Sequence, residues 1–177
     1  GDQAILQYEE RFDHVSLDSL AVSRDEMDEA DGLVPSELKA ALTLAHANIA
    51  KFHRSQKFHG ERVETTDGVT CWQESVAIEK VGLYIPGGTA PLFSTVLMLA
   101  TPANIAGCQD IVLCTPPEKT GKVNPAILAA AKISGVSKIF KIGGIQAIGA
   151  MAYGTESVPK VYKIFGPGNQ YVMAAKQ

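Results

Sequence analysis

Two patterns of apolar and polar positions divide the chain into an amino-terminal and a carboxyl-terminal part. In the first part apolar positions recur at helical spacing, over residues 1–12 and again over residues 36–52. Between these segments, Ser23 and Glu26 have the spacing of a capping box, which predicts a short acidic helix. These patterns predict a mainly helical arm over residues 1–79.

A polar stretch and an alternating stretch complete the arm. Residues 57–67 are polar and contain a glycine, which predicts a loop. Residues 69–76 alternate loosely between apolar and polar side chains, which is typical of a half-exposed antiparallel strand at the edge of a sheet. A further short strand is predicted around residues 20–22.

Beyond the arm, short apolar runs alternate with helical segments. Four runs have the length and composition of buried strands, at residues 81–85, 111–115, 136–142 and 160–165. A helix is predicted from about residue 90 to 99, after which Thr101-Pro102 either kinks it or starts a new turn, and Asn124 with Pro125 opens another. Strands joined by helices imply right-handed crossovers and a parallel sheet covered on both faces. We therefore predict an α/β fold in which residues 80–177 form a Rossmann-like parallel sheet with flanking helices.

Three of the four turns that follow the predicted strands are rich in glycine, at residues 87–88, 143–144 and 166–168. In a parallel sheet these turns lie on one edge, where backbone N–H groups can approach a phosphate-bearing ligand. Short crossover loops also favour glycine for their own geometry, so a purely structural role stays open. A P-loop motif is missing, and a G-x-G-x-x-G motif fails because Tyr171 stands in place of the third glycine.

Composition and charge exclude several classes of partner. The chain has 46% hydrophobic residues and a formal net charge of −3 without a basic stripe, which argues against binding to nucleic acid or to an anionic membrane. The apolar run at residues 95–100 stops far short of the ~20 residues that a membrane span needs. The first residues do not have the pattern of a signal peptide. We therefore expect a cytoplasmic protein.

Cysteine and histidine residues do not form a recognisable catalytic or metal-binding pattern. Three cysteines without metal-type spacing are expected to act as small hydrophobic residues. His46 and His53 share one side of a helix but lie about 10 Å apart along it, too far to share a metal ion unaided. No catalytic residue and no metal ligand is assigned in residues 1–177.

Both ends of the sequence lie inside helical patterns. The chain begins without an initiator Met, and the last helix has barely begun at Gln177. We therefore expect a fragment of a longer protein, with an open sheet edge and an uncovered apolar face that promote self-association.

Four motifs, in this order along the chain, closely resemble histidinol dehydrogenases. They are VGLYIPGGTAPLFSTVLMLATPA at 81–103, GGIQAI at 143–148, GTESVPKV at 154–161 and KIFGPGN at 163–169. The resemblance extends through the arm to both ends of the chain. It implies incomplete Rossmann domains related to those of aldehyde dehydrogenases.

The same resemblance implies a zinc-containing homodimer that uses NAD to oxidise L-histidinol through L-histidinal to L-histidine in histidine biosynthesis. Family positions that contact NAD fall on Tyr84, Gln146 and Asn169. Tyr84 could offer an aromatic face and a hydroxyl to the cofactor. The amides of Gln146 and Asn169 can donate and accept hydrogen bonds at its ribose or phosphate groups. The alternatives are a core tyrosine, a glutamine on a helix surface and an asparagine that caps the last helix.

Other functional groups of the family are expected outside the given sequence. The resemblance implies that the zinc ligands, the histidinol contacts and a Glu-His acid/base pair lie beyond residue 177. The chain by itself is therefore expected to be inactive. Two alternatives remain at this point, namely a non-catalytic folding or assembly unit, and an α/β binding module for another phosphorylated metabolite.

Overall fold

A four-stranded parallel sheet lies at the centre of the computed structural model, which describes residues 1–88 and 90–177. Thr89, within the 81–103 motif, lies outside the described residues. The helices are α1 (Asp2–Tyr8), α2 (Arg24–Leu33), α3 (Ser36–Ser55), α4 (Phe93–Ala106), α5 (Pro125–Ile133), α6 (Gly144–Tyr153) and α7 (Gln170–Ala175). The strands are β1 (Arg62–Thr66), β2 (Val69–Trp72), β3 (Lys80–Tyr84), β4 (Asp110–Thr115), β5 (Lys138–Lys141) and β6 (Lys163–Phe165). A π-helical turn over Glu9–Asp13, the π turn below, continues α1.

The order of strands in the sheet is β5-β4-β3-β6, and every neighbouring pair is parallel. Counted from β3 as the first strand, this order is 3-2-1-4, which is how the standard dinucleotide-binding fold begins. The predicted α/β, Rossmann-like sheet is thereby confirmed.

Alternate side chains of the strands enter two separate cores, because successive residues of a strand point to opposite faces. Val81, Leu83 and Ile85 pack with the helices α2 to α5 on one face. Tyr84 packs on the other face with residues of α1, α6 and α7. The sheet is therefore covered on both faces, as predicted for parallel strands.

Helices α2 and α3 pack against one face of the sheet, where Ala30 of α2 and Leu42 of α3 belong to the first core. Ser23 caps α2 by accepting a hydrogen bond from the backbone N–H of Glu26, as the capping-box spacing predicts. The Glu26 carboxylate also lies 2.7 Å from Lys141 Nζ in a mostly buried ion pair, which ties α2 to β5. The strand expected at 20–22 is reduced to one antiparallel bridge between Ala21 and Phe140.

Two sequence-based expectations are wrong in detail. The predicted loop at 57–67 contains β1, which pairs with β2 as an antiparallel hairpin separate from the main sheet. All residues of both strands are exposed, so β1 lacks the apolar alternation that predicts a strand. Helix α4 also runs through Pro102 to Ala106 and ends only at Gly107, which has a φ of 92°.

Within residues 1–88 and 90–177, no helix is both long enough and apolar enough to cross a bilayer.

Candidate functional site

The glycine-rich turns meet at one end of the sheet, here called the carboxyl edge, which comprises residues 86–88, 116, 143–144 and 166–169. A Cβ atom at Gly87 would lie 2.7 Å from Pro116 Cγ, and one at Gly143 would lie 2.8 Å from Pro116 Cβ. A Cβ at Gly166 would lie 2.1 Å from the Tyr84 carbonyl oxygen. Glycine therefore allows the turns after β3 and β5 to close against Pro116 at the end of β4, and the turn after β6 to close against Tyr84 at the end of β3. The prediction of a shared edge is confirmed.

The carboxyl edge includes the topological switch point of the sheet. From β3 the chain adds β4 and β5 on one side, and it then returns to place β6 on the other side of β3. Helix α4 after β3 and helix α6 before β6 belong to cores on opposite faces. Ligands of open α/β sheets bind at such a point, between strands whose connections leave in opposite directions. The exposed Gly87 and Gly88 lie beside it, at the end of β3.

Tyr84 joins β3 to the turn after β5. Its side chain is only 3% exposed, and its hydroxyl oxygen accepts a hydrogen bond of 3.0 Å from the backbone N–H of Gly144. Burial raises the pKa of the Tyr84 phenol, so the hydroxyl keeps its proton and remains able to donate.

Gln146 is a buried residue of α6, which makes the helix-surface alternative wrong. Only 8% of it is exposed, and its Nε2 atom donates to Glu9 Oε1 at 2.8 Å and approaches Asp13 Oδ2 at 3.4 Å. The structure thus brings Gln146 and Tyr84 together around the 143–144 turn.

Asn169 is exposed on the neighbouring loop, after β6. Its Oδ1 atom accepts hydrogen bonds of 3.1 Å from the N–H groups of Tyr171 and Val172, so it caps α7 as one alternative proposed. The cap uses the carbonyl side of the amide and leaves the Nδ2 group to donate elsewhere. No hydrogen bond joins Asn169 to Tyr84 or Gln146 within the described part of the chain.

Two acidic residues of the π turn complete the site and were not predicted. The Glu9 side chain is fully buried, and its Oε1 atom also accepts a hydrogen bond of 3.0 Å from the Gly143 N–H. Burial raises the pKa of Glu9 to about 7 and also raises the pKa of Asp13. One feature of the sequence could have indicated that Glu9 is buried. Glu9 lies four residues after the buried Ile5 and therefore on the same side of the helix.

The family model for histidinol dehydrogenase matches residues 1–177. The chain belongs to the histidinol dehydrogenase family. Histidinol dehydrogenases from Bacteroides thetaiotaomicron and Xanthomonas axonopodis pv. citri are 70% and 54% identical to it over all 177 residues. The chain spans 41% of the length of each of these relatives.

A solved structure agrees with this assignment. The crystal structure of histidinol dehydrogenase from Elizabethkingia anophelis superimposes with a TM-score of 0.95 at 56% identity, covering 99% of this chain and 40% of that one. The resemblance found in the sequence motifs is therefore confirmed at the level of the histidinol dehydrogenase family. Neither alternative class of function is supported by these comparisons.

The described residues do not fit a zinc site. Within residues 1–88 and 90–177, no three histidine, cysteine, aspartate or glutamate side chains come together to hold a metal ion. Cys114 is fully buried and burial raises the pKa of its thiol, which suits the small hydrophobic residue expected. Cys108 is partly buried, whereas Cys71 is exposed on the hairpin and departs from that expectation.

Proposed function

We propose that the chain forms the NAD-binding side of a histidinol dehydrogenase, a cytoplasmic zinc-containing homodimer that oxidises L-histidinol through L-histidinal to L-histidine. Residues 80–177 would form the incomplete Rossmann domain that binds NAD, and residues 1–79 the arm with its edge strand. The single observation that carries this proposal is the switch point between β3 and β6, lined by three glycine-rich turns in a member of this family.

The residues at the carboxyl edge suit a dinucleotide. The Tyr84 hydroxyl can donate to a ligand while it accepts from Gly144, and the Asn169 Nδ2 group can donate while Oδ1 caps α7. The exposed Gly87 and Gly88 allow a pyrophosphate to approach the backbone closely, since neither has a side chain.

Bound NAD would supply the hydride acceptor, and these residues would hold and orient it. The resemblance to the family implies that the acid/base pair, the histidinol contacts and the zinc ligands lie beyond residue 177, in the part of the relatives that this chain does not span. We therefore expect the 177-residue chain to be inactive by itself.

A chimera tests the proposal. This sequence would replace the matched segment of the Bacteroides thetaiotaomicron relative, and NADH formation with L-histidinol would be followed for the chimera, the unmodified relative and the 177-residue chain. We expect turnover by the first two only, and its loss after zinc is removed with a chelator. Turnover by the 177-residue chain, or an inactive chimera beside an active relative, would contradict the proposal.

Variants of the chimera test the assignment of the site. Tyr84→Phe removes the hydroxyl, and Asn169→Ser keeps a neutral oxygen that can cap α7 but removes the Nδ2 donor. Each is expected to raise the KM for NAD about fivefold, the effect of one lost hydrogen bond. Tyr153→Phe, at a residue that is 84% exposed, is the matched control and should leave the KM unchanged.

A further inference from the structure

Glu9 carries more hydrogen-bond acceptors than its surroundings satisfy. One carboxyl oxygen, Oε1, accepts from the Gly143 N–H and from Gln146 Nε2. The other, Oε2, is buried and has no donor within residues 1–88 and 90–177. A buried carboxylate oxygen without a partner is costly, so the arrangement requires a proton at this position.

Asp13 provides the partner for that proton. Its Oδ2 atom lies 3.4 Å from Gln146 Nε2, the same amide nitrogen that donates to Glu9 Oε1 at 2.8 Å, so the two carboxyl groups are neighbours around one amide. Two ionised carboxylates in contact repel each other in a buried setting, whereas one shared proton converts the contact into a hydrogen bond. A proton on Glu9 Oε2 would give that oxygen a hydrogen bond to make with its carboxylate neighbour, and both acceptor contacts of Oε1 would be kept.

The other titratable groups around the pair do not neutralise it. Tyr84 on β3 and Cys114 on β4 face it, and burial raises the pKa of both, so that each is neutral near pH 7. His14, next along the chain, favours the charged form of Asp13. A single negative charge shared by the two carboxyl groups is therefore the state that this environment favours.

The pair determines the orientation of the Gln146 side-chain amide. The NH₂ group must face the two carboxyl groups, because a carbonyl oxygen in that place would meet only acceptors. The Gln146 Oε1 atom consequently lies on the side of the 143–144 turn, 2.9 Å from where a Cβ of Gly144 would stand. Gln146 thus offers an acceptor at the carboxyl edge, which suits a hydroxyl donor such as a ribose and is unsuited to a phosphate.

We infer that Glu9 and Asp13 form a proton-sharing carboxyl pair that positions Gln146 to accept a hydrogen bond from a ribose hydroxyl of the dinucleotide. This inference rests on the proposed function. Glu9 and Asp13 are positioning residues, because they act on the cofactor only through Gln146 and the Gly143 N–H.

Three variants in the chimera test the inference. Glu9→Gln keeps an acceptor for Gly143 and Gln146 and provides an N–H donor to Asp13, so it reproduces the protonated acid. Glu9→Ala removes all of these contacts. Glu10→Gln changes the exposed neighbouring carboxylate and is the matched control. For each variant, KM for NAD and kcat would be measured between about pH 5 and 9, roughly two units on either side of the Glu9 transition.

For the unmodified chimera and for Glu10→Gln, we expect the KM for NAD to rise about fivefold above pH 7, as the second carboxyl group loses its proton. Glu9→Gln should keep the low KM across the whole range. Glu9→Ala should have the high KM at every pH, with kcat changed less than KM. Rescue by glutamine but not by alanine distinguishes positioning from a general loss of structure.

The outcomes separate this inference from the proposed function. An inactive chimera would overturn the proposed function and this inference with it. An active chimera would overturn this inference alone if Glu9→Ala left the KM for NAD unchanged, or if Glu9→Gln kept the pH dependence of the unmodified protein. If Glu9→Ala fails to fold, the comparison of Glu9→Gln with Glu10→Gln still decides the matter.

Discussion

Glu9 illustrates how one residue can work against folding while it organises a site. Its side chain is completely buried, yet the residue type is rarely buried unless it is paired. Burial raises the Glu9 pKa from an ordinary value near 4.5 to about 7. The folded chain therefore holds a proton over a pH interval in which the unfolded chain has lost it.

This difference predicts how stability depends on pH. Because the folded state binds more protons than the unfolded state between pH 4.5 and about 7, Glu9 lowers the free energy of unfolding as pH rises through that interval. At about 1.4 kcal/mol per pKa unit, the loss is on the order of 3 kcal/mol. Glu9→Gln should remove it, so the variant should gain stability relative to the unmodified chain as pH rises.

Urea unfolding of the 177-residue chain at a series of pH values would measure this effect, with Glu10→Gln as the control. Other carboxyl groups, such as Asp110, have a lowered pKa and give the opposite slope in all three proteins alike. Only the difference between Glu9→Gln and the control is therefore diagnostic. The prediction would be contradicted if the difference in free energy of unfolding between Glu9→Gln and the control stayed constant from about pH 4.5 to about pH 8.

The sequence could indicate Tyr84, Gln146 and Asn169 only through the family motifs, and it did not indicate Glu9. Glu9 meets the Gly143 N–H across 134 residues of chain, and no local pattern reports such a contact. Its place four residues after Ile5 was a weak signal, since a glutamate at that spacing is usually solvated. The capping role of Asn169 was predictable, because its hydrogen bonds are local.

At the scale of elements, a glycine that caps α6 and a glycine inside it have opposite roles. Gly143 precedes the helix and packs against Pro116 and Asp13, with potential Cβ distances of 2.8 Å and 3.1 Å. Gly149 lies inside the helix, and nothing stands within 4 Å of its potential Cβ. The first glycine is required by packing, whereas the second is not.

Alanine substitution at each glycine should therefore change stability in opposite directions. Gly143→Ala is expected to lower the free energy of unfolding by about 1–3 kcal/mol, since a Cβ would displace the turn and the π turn behind it. Gly149→Ala is expected to raise it by about 0.5–1 kcal/mol through helix propensity. Thermal and urea unfolding of both variants would measure the two effects, and equal changes would refute the assignment of close packing to Gly143.

Elements with local signals were predicted well, and elements without them were not. Helices α2 and α5 were anticipated from their caps, and Ser23 and Asn124 make those capping bonds. Strands β3 and β4 were anticipated because they are apolar runs buried on both faces. Strand β1 was missed because its residues are exposed and polar, and only pairing with β2 makes it a strand.

At the scale of the whole molecule, the sheet has an exposed edge. Strand β6 is paired with β3 on one side and has no strand on its other side within the described residues. Beside it lies an open groove of about 980 Å³ that is lined largely by apolar side chains, including Val76, Met98 and Phe165. Unpaired strand edges and contiguous apolar surfaces promote association.

We therefore expect the 177-residue chain to self-associate through this surface. Val76→Glu introduces a charge at a groove residue that is 87% exposed, so it should weaken association without disturbing the core. Leu44→Glu is the matched control, because Leu44 is 64% exposed on α3 and does not line the groove. Sedimentation velocity over a range of concentrations would measure the effect, and a monomer at all concentrations would contradict the expectation.

The β1–β2 hairpin has a consequence for amide hydrogen exchange. Because the residues of both strands are exposed, opening the hairpin uncovers little apolar surface, whereas opening β3 or β4 disrupts both cores. In deuterated solvent the hairpin amides should exchange early through local fluctuations, and their exchange rates should not depend on the concentration of added denaturant. The amides of the two central strands should exchange last and report the unfolding of the entire sheet.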